Sequence, residues 1–198
     1  MSGEIAKSNF RFAIADCRFV DHNNLQSMNV LAEFKKITTF VFDIDGVLTD
    51  GTLLILSDGL QARRMHVKDG FGLQMAMKKG YNVFIISGGD SHEVQARLEK
   101  LGVKNIHLSV GDKAQLLTSL LQKHKIEMAN VLYMGDDLPD LPLLKKVGLS
   151  CCPADAVYEV KNIVKYISPV NGGWGCVRDV IEKVLKVNDH WEFDAEVT

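Results

Sequence analysis

Residues 37–46 comprise the run Ile37-Thr38-Thr39-Phe40-Val41-Phe42 followed by Asp43-Ile44-Asp45-Gly46. The first six residues are β-branched or aromatic, which predicts a buried strand. Two carboxylates follow where that strand ends. Because residues i and i+2 of extended backbone point to the same side, we expect Asp43 and Asp45 to face one cleft.

Strands and helices alternate after this segment. A hairpin is predicted first, from two apolar runs that meet at Asp58-Gly59. Helices are predicted over 69–79, 91–101, 113–124, 138–147, 154–161 and 177–187, and strands over 81–86, 104–108, 130–134, 148–152 and 163–167. This alternation is typical of right-handed β-α-β crossovers, so the predicted fold class is α/β, with a parallel sheet between helical layers.

The composition bounds the class of protein. The chain has 198 residues, of which 46% are hydrophobic and 24% charged, with a formal net charge of −2, as in an ordinary globular domain. That near-neutral balance argues against a partner held by bulk charge, so no nucleic acid is expected. No apolar run is long enough to cross a membrane, and Arg11, Asp16 and Arg18 interrupt the N-terminal apolar stretch, which argues against a signal peptide. We therefore expect a cytoplasmic protein whose four cysteines are reduced.

The N-terminal part of the chain differs from the rest. Residues 1–35 show no clear period, and we expect them to form a partly disordered extension. The expected domain covers residues 36–191, and residues 192–198 form a C-terminal tail.

Polar residues follow each predicted parallel strand at its carboxyl end. The sets share a carboxylate, hydroxyl or ammonium group with glycine often nearby. They are Asp43 with Asp45, Ser87-Gly88-Gly89, Asp112-Lys113, and Gly135-Asp136-Asp137. Open parallel sheets bind ligands beyond this edge, so we expect the four sets to converge on one site.

Each set has a chemical use. Asp43 and Asp136 would repel each other unless a cation lay between them, and hard oxygen ligands favour Mg²⁺. Asp43 could also attack phosphorus as a carboxylate nucleophile, with Asp45 exchanging protons with the leaving oxygen and with water. Ser87 and the amides after it could cradle phosphate oxygens, and Lys113 would balance the charge of the transferring group.

The order of these motifs resembles that of the haloacid dehalogenase-like phosphatases. Asp43-Ile44-Asp45-Gly46-Val47-Leu48-Thr49-Asp50 resembles their first motif, and Ser87, Lys113 and Gly135-Asp136-Asp137 resemble the second, third and fourth. Two further segments, Met65–Gly72 and Gly172–Asp179, resemble signatures of the subfamily of 3-deoxy-D-manno-octulosonate 8-phosphate (KDO 8-phosphate) phosphatases. The resemblance covers about residues 37–191.

This resemblance implies a Rossmann-like three-layer sandwich without a large cap domain. It implies an Mg²⁺-dependent homotetramer in which the inserted hairpins meet and a neighbouring subunit helps to cover the active site. The substrate implied is a small anionic sugar-acid phosphate, most closely KDO 8-phosphate, a precursor in lipopolysaccharide biosynthesis.

The resemblance also implies a role for individual residues. Asp43 is the nucleophile and a metal ligand, Asp45 is the general acid/base with its carbonyl on the metal, and Asp136 is a further ligand. The remaining residues divide into three sets: Asp137 in the metal shell, Ser87, Gly88 and Lys113 on the phosphoryl group, and Lys68, Asp69, Gly70 and Arg178 as substrate or intersubunit candidates.

One position departs from the pattern of many relatives. They carry Arg or Glu where this chain has Gly89, which leaves room for a related nonulosonate 9-phosphate as substrate. The same residues are also compatible with a receiver-like signalling module that accepts phosphate, and with a weakly active oligomeric partner of a sugar-activating enzyme. Asp45 favours hydrolysis over storage of the phosphoryl group, because a base at that place can activate water.

Overall fold

The computed structural model describes residues 30–192. Their helices are α1 (Val30–Lys36), α2 (Val67–Lys78), α3 (His92–Lys100), α4 (Lys113–His124), α5 (Leu141–Leu144), α6 (Tyr158–Lys161) and α7 (Cys176–Val187). Their strands are β1 (Thr39–Phe42), β2 (Leu54–Ile55), β3 (Gln61–Ala62), β4 (Asn82–Ile86), β5 (Asn105–His107), β6 (Val131–Met134), β7 (Leu149–Cys152) and β8 (Tyr166–Ile167). No helix within residues 30–192 has both the length and the apolar character needed to cross a lipid bilayer.

Six strands form one parallel sheet in the order β5-β4-β1-β6-β7-β8. Strand β1 lies at the centre, and all four of its residues are buried. Its side chains alternate between two apolar cores: Phe40 and Phe42 join residues of α1, α2, α3 and α7, whereas Val41 joins residues of α4, α5 and α6. This arrangement confirms the predicted three-layer α/β sandwich.

The predicted hairpin is confirmed in a shorter form. Strands β2 and β3 pair antiparallel, and Leu56 and Leu60 close the loop through a backbone hydrogen bond of 2.9 Å. Gly59 has φ = 84°, a conformation that favours glycine at this turn. The hairpin stands apart from the sheet, and its apolar side chains are exposed: Leu53, Leu54, Ile55, Leu56 and Leu60.

Two segments differ most from the prediction. The helix expected over 138–147 is divided into a 3₁₀ turn, Leu138–Asp140, and the short α5, with a proline near the start of each. The boundary expected between residues 35 and 36 falls inside α1, where Phe34 is fully buried. Helix α1 therefore packs on the domain. Residues 1–29 of the extension predicted over 1–35, and residues 193–198 of the predicted tail, lie outside the described residues.

Candidate active site

Asp43 lies at the carboxyl end of the central strand and is almost fully buried. Its backbone N–H donates to the carbonyl of Met134 on β6, at 3.1 Å, which extends the β1–β6 pairing to the carboxylate itself. The two side-chain oxygens have different partners. Oδ1 accepts from the N–H of Ile44 at 2.7 Å, and Oδ2 accepts from Nζ of Lys113 at 2.7 Å.

Lys113 is the first residue of α4, and its ammonium group bridges two carboxylates. Nζ lies 2.7 Å from Oδ2 of Asp43 and 2.8 Å from Oδ1 of Asp140. Asp112 caps the helix by accepting from the N–H of Gln115, which fixes where α4 begins. Burial lowers the pKa of Lys113, but the charges of Asp43 and Asp140 outweigh it, so the net pKa is raised and the group stays charged.

Asp140 was not among the predicted functional residues, yet it is the most thoroughly bonded carboxylate of the site. It is fully buried. Oδ1 accepts from the hydroxyl of Tyr133 at 2.6 Å as well as from Lys113, and Oδ2 accepts from the backbone N–H groups of Asp136 and Asp137 at 3.0 and 3.4 Å. The signal that could have found it is its position one turn after Gly135-Asp136-Asp137.

Asp136 is the carboxylate with the fewest bonds to protein groups. Burial, followed by the charges of Asp43 and Asp140, raises its pKa to about 7. The pKa of Asp43 is raised to about 6, again by burial and then by Asp140, although Lys113 opposes the shift. Oxygen atoms from Asp43, Asp136 and Asp140 lie within 4.8 Å of one another. We call these three carboxylates with Lys113 the strand-end site.

The donor chemistry of this site fits a hard divalent cation. Every candidate ligand is an oxygen, and the carboxylates of Asp43 and Asp136, both of raised pKa, lie close together, as expected where a cation normally offsets their repulsion. Asp140 already accepts from four donors, so Asp43 and Asp136 are the side chains best able to hold the ion. Asp137 is exposed, and its carboxylate accepts from the N–H of Leu138, outside the three-carboxylate group.

The phosphate-binding residues predicted after β4 line the same cleft. Its volume is about 330 Å³, and its wall includes Asp43, Asp45, Ser87, Gly88, Gly89, Lys113 and Asp136. Ser87 is buried, and its hydroxyl accepts from the N–H of Gly89 at 3.1 Å. The structure thus brings together the residues predicted from all four strand ends.

Asp45 lines the cleft and has a partner that no sequence motif predicted. Nε of Arg63 lies 2.7 Å from Oδ1 of Asp45, and Nη2 lies 3.4 Å from Oδ2. Thr49 adds a longer hydrogen bond, 3.3 Å, from its hydroxyl to Oδ1. Arg63 is separated from Asp45 by the whole hairpin, and no local pattern pointed to this pair.

The backbone turn that follows Asp43 is held from the far end of the chain. The N–H of Gly173 donates to the carbonyl of Val47 at 2.9 Å, and the thiol of Cys176 lies 3.3 Å from the same oxygen. A Cβ atom at Gly172 would overlap the carbonyl of Gly46, so only glycine permits this approach. The segment Gly172–Asp179, singled out by resemblance, therefore includes residues that shape the first motif.

Three of the four predicted substrate candidates, Asp69, Gly70 and Arg178, have contacts away from the cleft. Asp69 and Arg178 contact each other. Asp69 on α2 is buried, and its Oδ1 accepts from the N–H of Arg178 at 2.6 Å, at the start of α7. The Arg178 guanidinium stacks 4.3 Å from Trp191 and 5.0 Å from Phe71, and Nε donates to Glu182. We call Asp69, Phe71, Arg178, Glu182 and Trp191 the helix-pair cluster.

The remaining two candidates flank Asp69. Gly70 is a packing position, because a Cβ there would lie 3.1 Å from the Leu101 side chain. Lys68 is exposed on the first turn of α2. Neither residue lines the cleft of the strand-end site.

The chain is related in sequence to known hydrolases. The haloacid dehalogenase-like hydrolase family matches residues 105–181. The chain is 35% identical over 159 residues to 3-deoxy-D-manno-octulosonate 8-phosphate phosphatase KdsC of Escherichia coli K12, covering 80% of this chain and 85% of that protein.

Two solved structures extend the likeness to the fold. The phosphatase of the same name from Moraxella catarrhalis, in complex with a magnesium ion, a phosphate ion and KDO, is 33% identical with a TM-score of 0.80, covering 83% of this chain and 95% of that one. The cobalt-bound phosphatase from Haemophilus influenzae is 32% identical with a TM-score of 0.76, covering 79% and 92%.

Proposed function

Because this chain belongs to the haloacid dehalogenase-like phosphatases, we propose that it hydrolyses KDO 8-phosphate to KDO and inorganic phosphate. The observation that carries the proposal is the Asp43–Lys113 pair, which lies in a cleft also lined by Asp45, Ser87 and Asp136. A nucleophile, an acid/base group, a phosphate cradle and a cation site are thus within one cavity of suitable size for a phosphorylated sugar acid.

We assign the first half-reaction to Asp43 and Asp45. A carboxylate oxygen of Asp43 attacks phosphorus in line with the sugar oxygen, and the bond between phosphorus and that oxygen breaks. Asp45 gives its proton to the leaving oxygen, which departs as the sugar hydroxyl. The product on the protein is an aspartyl-phosphate at Asp43.

The second half-reaction reverses the role of Asp45. Its carboxylate takes a proton from water as the water oxygen attacks phosphorus, and the bond between phosphorus and Asp43 breaks. Phosphate leaves, Asp43 is regenerated, and Asp45 carries the proton needed for the next cycle.

Lys113 and the loop after β4 hold the phosphoryl group. Nζ of Lys113 can remain bonded to Asp140 while its second partner changes from Asp43 to a phosphoryl oxygen. The hydroxyl of Ser87 and the backbone N–H of Gly88 supply neutral donors to the other oxygens.

The enzyme is Mg²⁺-dependent, and we assign the ion to Asp43 and Asp136, with the backbone carbonyl of Asp45 as a further ligand. When bound, Mg²⁺ offsets the charge of the carboxylates and of the phosphoryl oxygens. Asp137, expected to support the metal shell, is assigned the more distant role of capping the turn that carries Asp140.

We propose a homotetramer built around the hairpin. The side chains of Leu54 and Ile55 are 63% and 61% exposed, and three further leucines of the hairpin are exposed beside them. A surface of this kind is costly in water and favours association. Lys68 is exposed and remains a substrate candidate for a neighbouring subunit, whereas Asp69, Gly70 and Arg178 are candidates of lower rank because their contacts lie within one subunit.

The expected cytoplasmic location is retained as a proposal. The three cysteines within the described residues, Cys151, Cys152 and Cys176, are buried free thiols, as is usual in a reducing compartment.

A nonulosonate 9-phosphate remains the second candidate substrate. Gly89 lines the cleft without the Arg or Glu side chain that many relatives carry there, so the contact that such a side chain would make with KDO 8-phosphate is missing. The signalling module and the weakly active partner are both disfavoured, because the chain belongs to a phosphatase family and the site keeps the carboxylates and the lysine of the four motifs.

The deciding experiment is a steady-state comparison with Mg²⁺ of KDO 8-phosphate, a nonulosonate 9-phosphate and glucose 6-phosphate, with the Asp43→Asn protein as background. We expect the highest kcat/KM for KDO 8-phosphate. A preference for the nine-carbon acid would select the second candidate. A preference for glucose 6-phosphate would overturn the sugar-acid assignment while leaving the phosphatase chemistry intact.

A further inference from the structure

We propose that Arg63 is a positioning residue, which holds the carboxylate of Asp45 over the phosphate cradle. This inference rests on the proposed acid/base role of Asp45. It assigns a part in the chemistry to the residue that directly follows β3 of the hairpin.

The contact between the two side chains is directional. Arg63 approaches Asp45 side-on, with Nε 2.7 Å from Oδ1 and Nη2 3.4 Å from Oδ2. Two parallel donors fix the plane of a carboxylate, whereas a single donor leaves it free to rotate. The Arg63 side chain is only 7% exposed, although the neighbouring hairpin is largely exposed to solvent, so it is committed to this contact.

The other side of the carboxylate is defined by Gly89. A Cβ atom at Gly89 would lie 3.0 Å from Oδ2 of Asp45, 3.5 Å from the hydroxyl of Ser87 and 3.9 Å from Nη2 of Arg63. The Asp45 carboxylate therefore lies between the guanidinium and the loop after β4, and it faces the place where phosphate oxygens would bind. Because residue 89 has no side chain, the Asp45 carboxylate and the Arg63 guanidinium can occupy this position without a steric clash.

The other groups near Asp45 are shared with, or engaged by, different partners. The hydroxyl of Thr49 is 3.3 Å from Oδ1, but it lies equally far from the carbonyl of Ile44 and divides its donor between them. The adjacent Arg64 is engaged elsewhere, in an ion pair of 2.6 Å with Asp50 and in stacking on Trp174. Arg63 is thus the group that sets the direction of the Asp45 carboxylate.

The test compares Arg63→Ala and Arg63→Lys with wild type and with Gln61→Ala as the matched control. Gln61 is exposed on β3, and it contacts Arg63 through its backbone carbonyl, so the control should retain wild-type rates. Two substrates are used: KDO 8-phosphate, whose leaving alkoxide needs a proton, and 4-nitrophenyl phosphate, whose leaving group does not. Light scattering and thermal unfolding establish that each variant remains assembled and folded.

For Arg63→Ala we expect kcat with KDO 8-phosphate to fall about 100-fold, the effect of misplacing a general acid/base. With 4-nitrophenyl phosphate we expect a fast first turnover, one nitrophenolate per site, followed by a slow steady state. Formation of the aspartyl-phosphate then needs no acid, but its hydrolysis still needs Asp45 as base. Arg63→Lys, which keeps the charge but not the two-point contact, should give intermediate rates.

Unchanged rates, or equal losses on both substrates without a burst, would reduce Arg63 to a packing residue and overturn the inference. The Asp45→Asn protein separates this failure from failure of the proposed function. If Asp45→Asn itself keeps near-normal rates, the acid/base assignment is wrong. If it is inactive while Arg63→Ala is normal, only the positioning role is lost.

Discussion

The strand-end site and the helix-pair cluster contain similar groups but use them differently. Each combines at least one buried carboxylate with a long cationic side chain, and each includes residues singled out from the sequence. In the strand-end site Asp43 and Asp136 line an open cleft. In the helix-pair cluster Asp69 accepts from the backbone at the start of α7, and Arg178 stacks on Trp191 and Phe71. A sequence motif identifies residues that the family shares. Whether their polar atoms face an open cleft or a neighbouring helix shows whether those residues act in catalysis or in packing.

The largest expected effect removes the nucleophile from the strand-end site. Asp43→Asn should lower turnover of KDO 8-phosphate by more than about 1000-fold, since an amide cannot form the acyl-phosphate. The fold should persist, because Asn keeps the acceptor for the N–H of Ile44 and relieves the repulsion from Asp140. Steady-state phosphate release and thermal unfolding check both parts. Near-normal turnover in the variant would disprove the covalent mechanism.

The second prediction separates Asp140 from its exposed neighbour Asp137. Asp140→Ala removes a buried partner from both Lys113 and the hydroxyl of Tyr133, which should lower the free energy of unfolding by about 3–5 kcal/mol. Asp137→Ala removes only a cap and should cost about 1 kcal/mol. Urea denaturation of both proteins measures the difference. Equal losses would mean that Asp140 does not anchor the site.

The third prediction concerns the helix-pair cluster. Burial raises the pKa of Asp69 to about 6, although the N–H groups of Arg178 and Gly175 oppose the shift. The folded protein therefore favours the protonated form, and wild type loses stability as pH rises from about 4 through about 6. Asp69→Asn should escape this loss and be more stable than wild type by about 2–3 kcal/mol at pH 7.5, with the difference vanishing near pH 4. Urea denaturation across this pH range measures the difference.

Although Asp69→Asn should change the stability of the protein, its catalytic activity should stay close to that of wild type. Asp69→Asn should keep kcat and KM within about threefold of wild type, because the residue lies outside the cleft. A large rise in KM without a change in stability would return Asp69 to the substrate-binding set and remove the distinction between the two regions.

The smallest expected effect is the pH dependence of Mg²⁺ binding. The pKa of Asp136 is about 7 and that of Asp43 about 6, and both groups must lose their protons to hold the ion. Affinity should fall about tenfold between pH 7 and pH 6, and more steeply below. Calorimetric titration at several pH values measures the fall. The Asp69→Asn protein should follow the same curve, since its charge is remote from the ion, and a flat profile would contradict the assignment of the ligands.

Much of the active site could be predicted because its parts are tied to strand ends. The predicted helix 113–124 coincides with α4, which puts Lys113 at its first turn, and the buried strand before Asp43 is confirmed. Sheet topology then brings Ser87 and Asp136 to the same edge, and no side-chain detail is needed for this step.

The partners of long side chains could not be predicted in the same way. Arg63 and Asp140 are joined to the site by contacts whose direction depends on the fold of the hairpin and on a 3₁₀ turn. Hydrophobic periodicity predicts helices and strands, but it does not predict which carboxylate forms an ion pair with a given guanidinium group. The same limit explains why Asp69 and Arg178 could be singled out without the knowledge that they contact each other.

The hydrogen bonds from Gly173 and Cys176 to the carbonyl of Val47 have a consequence for the synthesis of the enzyme. During translation the first motif is synthesised early, whereas Gly172, Gly173 and Cys176, which contact it, are synthesised near the end. A nascent or prematurely terminated chain can therefore carry every carboxylate of the strand-end site and still lack the part that shapes the loop after Asp43. A nonsense change between Asp140 and Gly172 should silence the enzyme, although every residue of the strand-end site is still made.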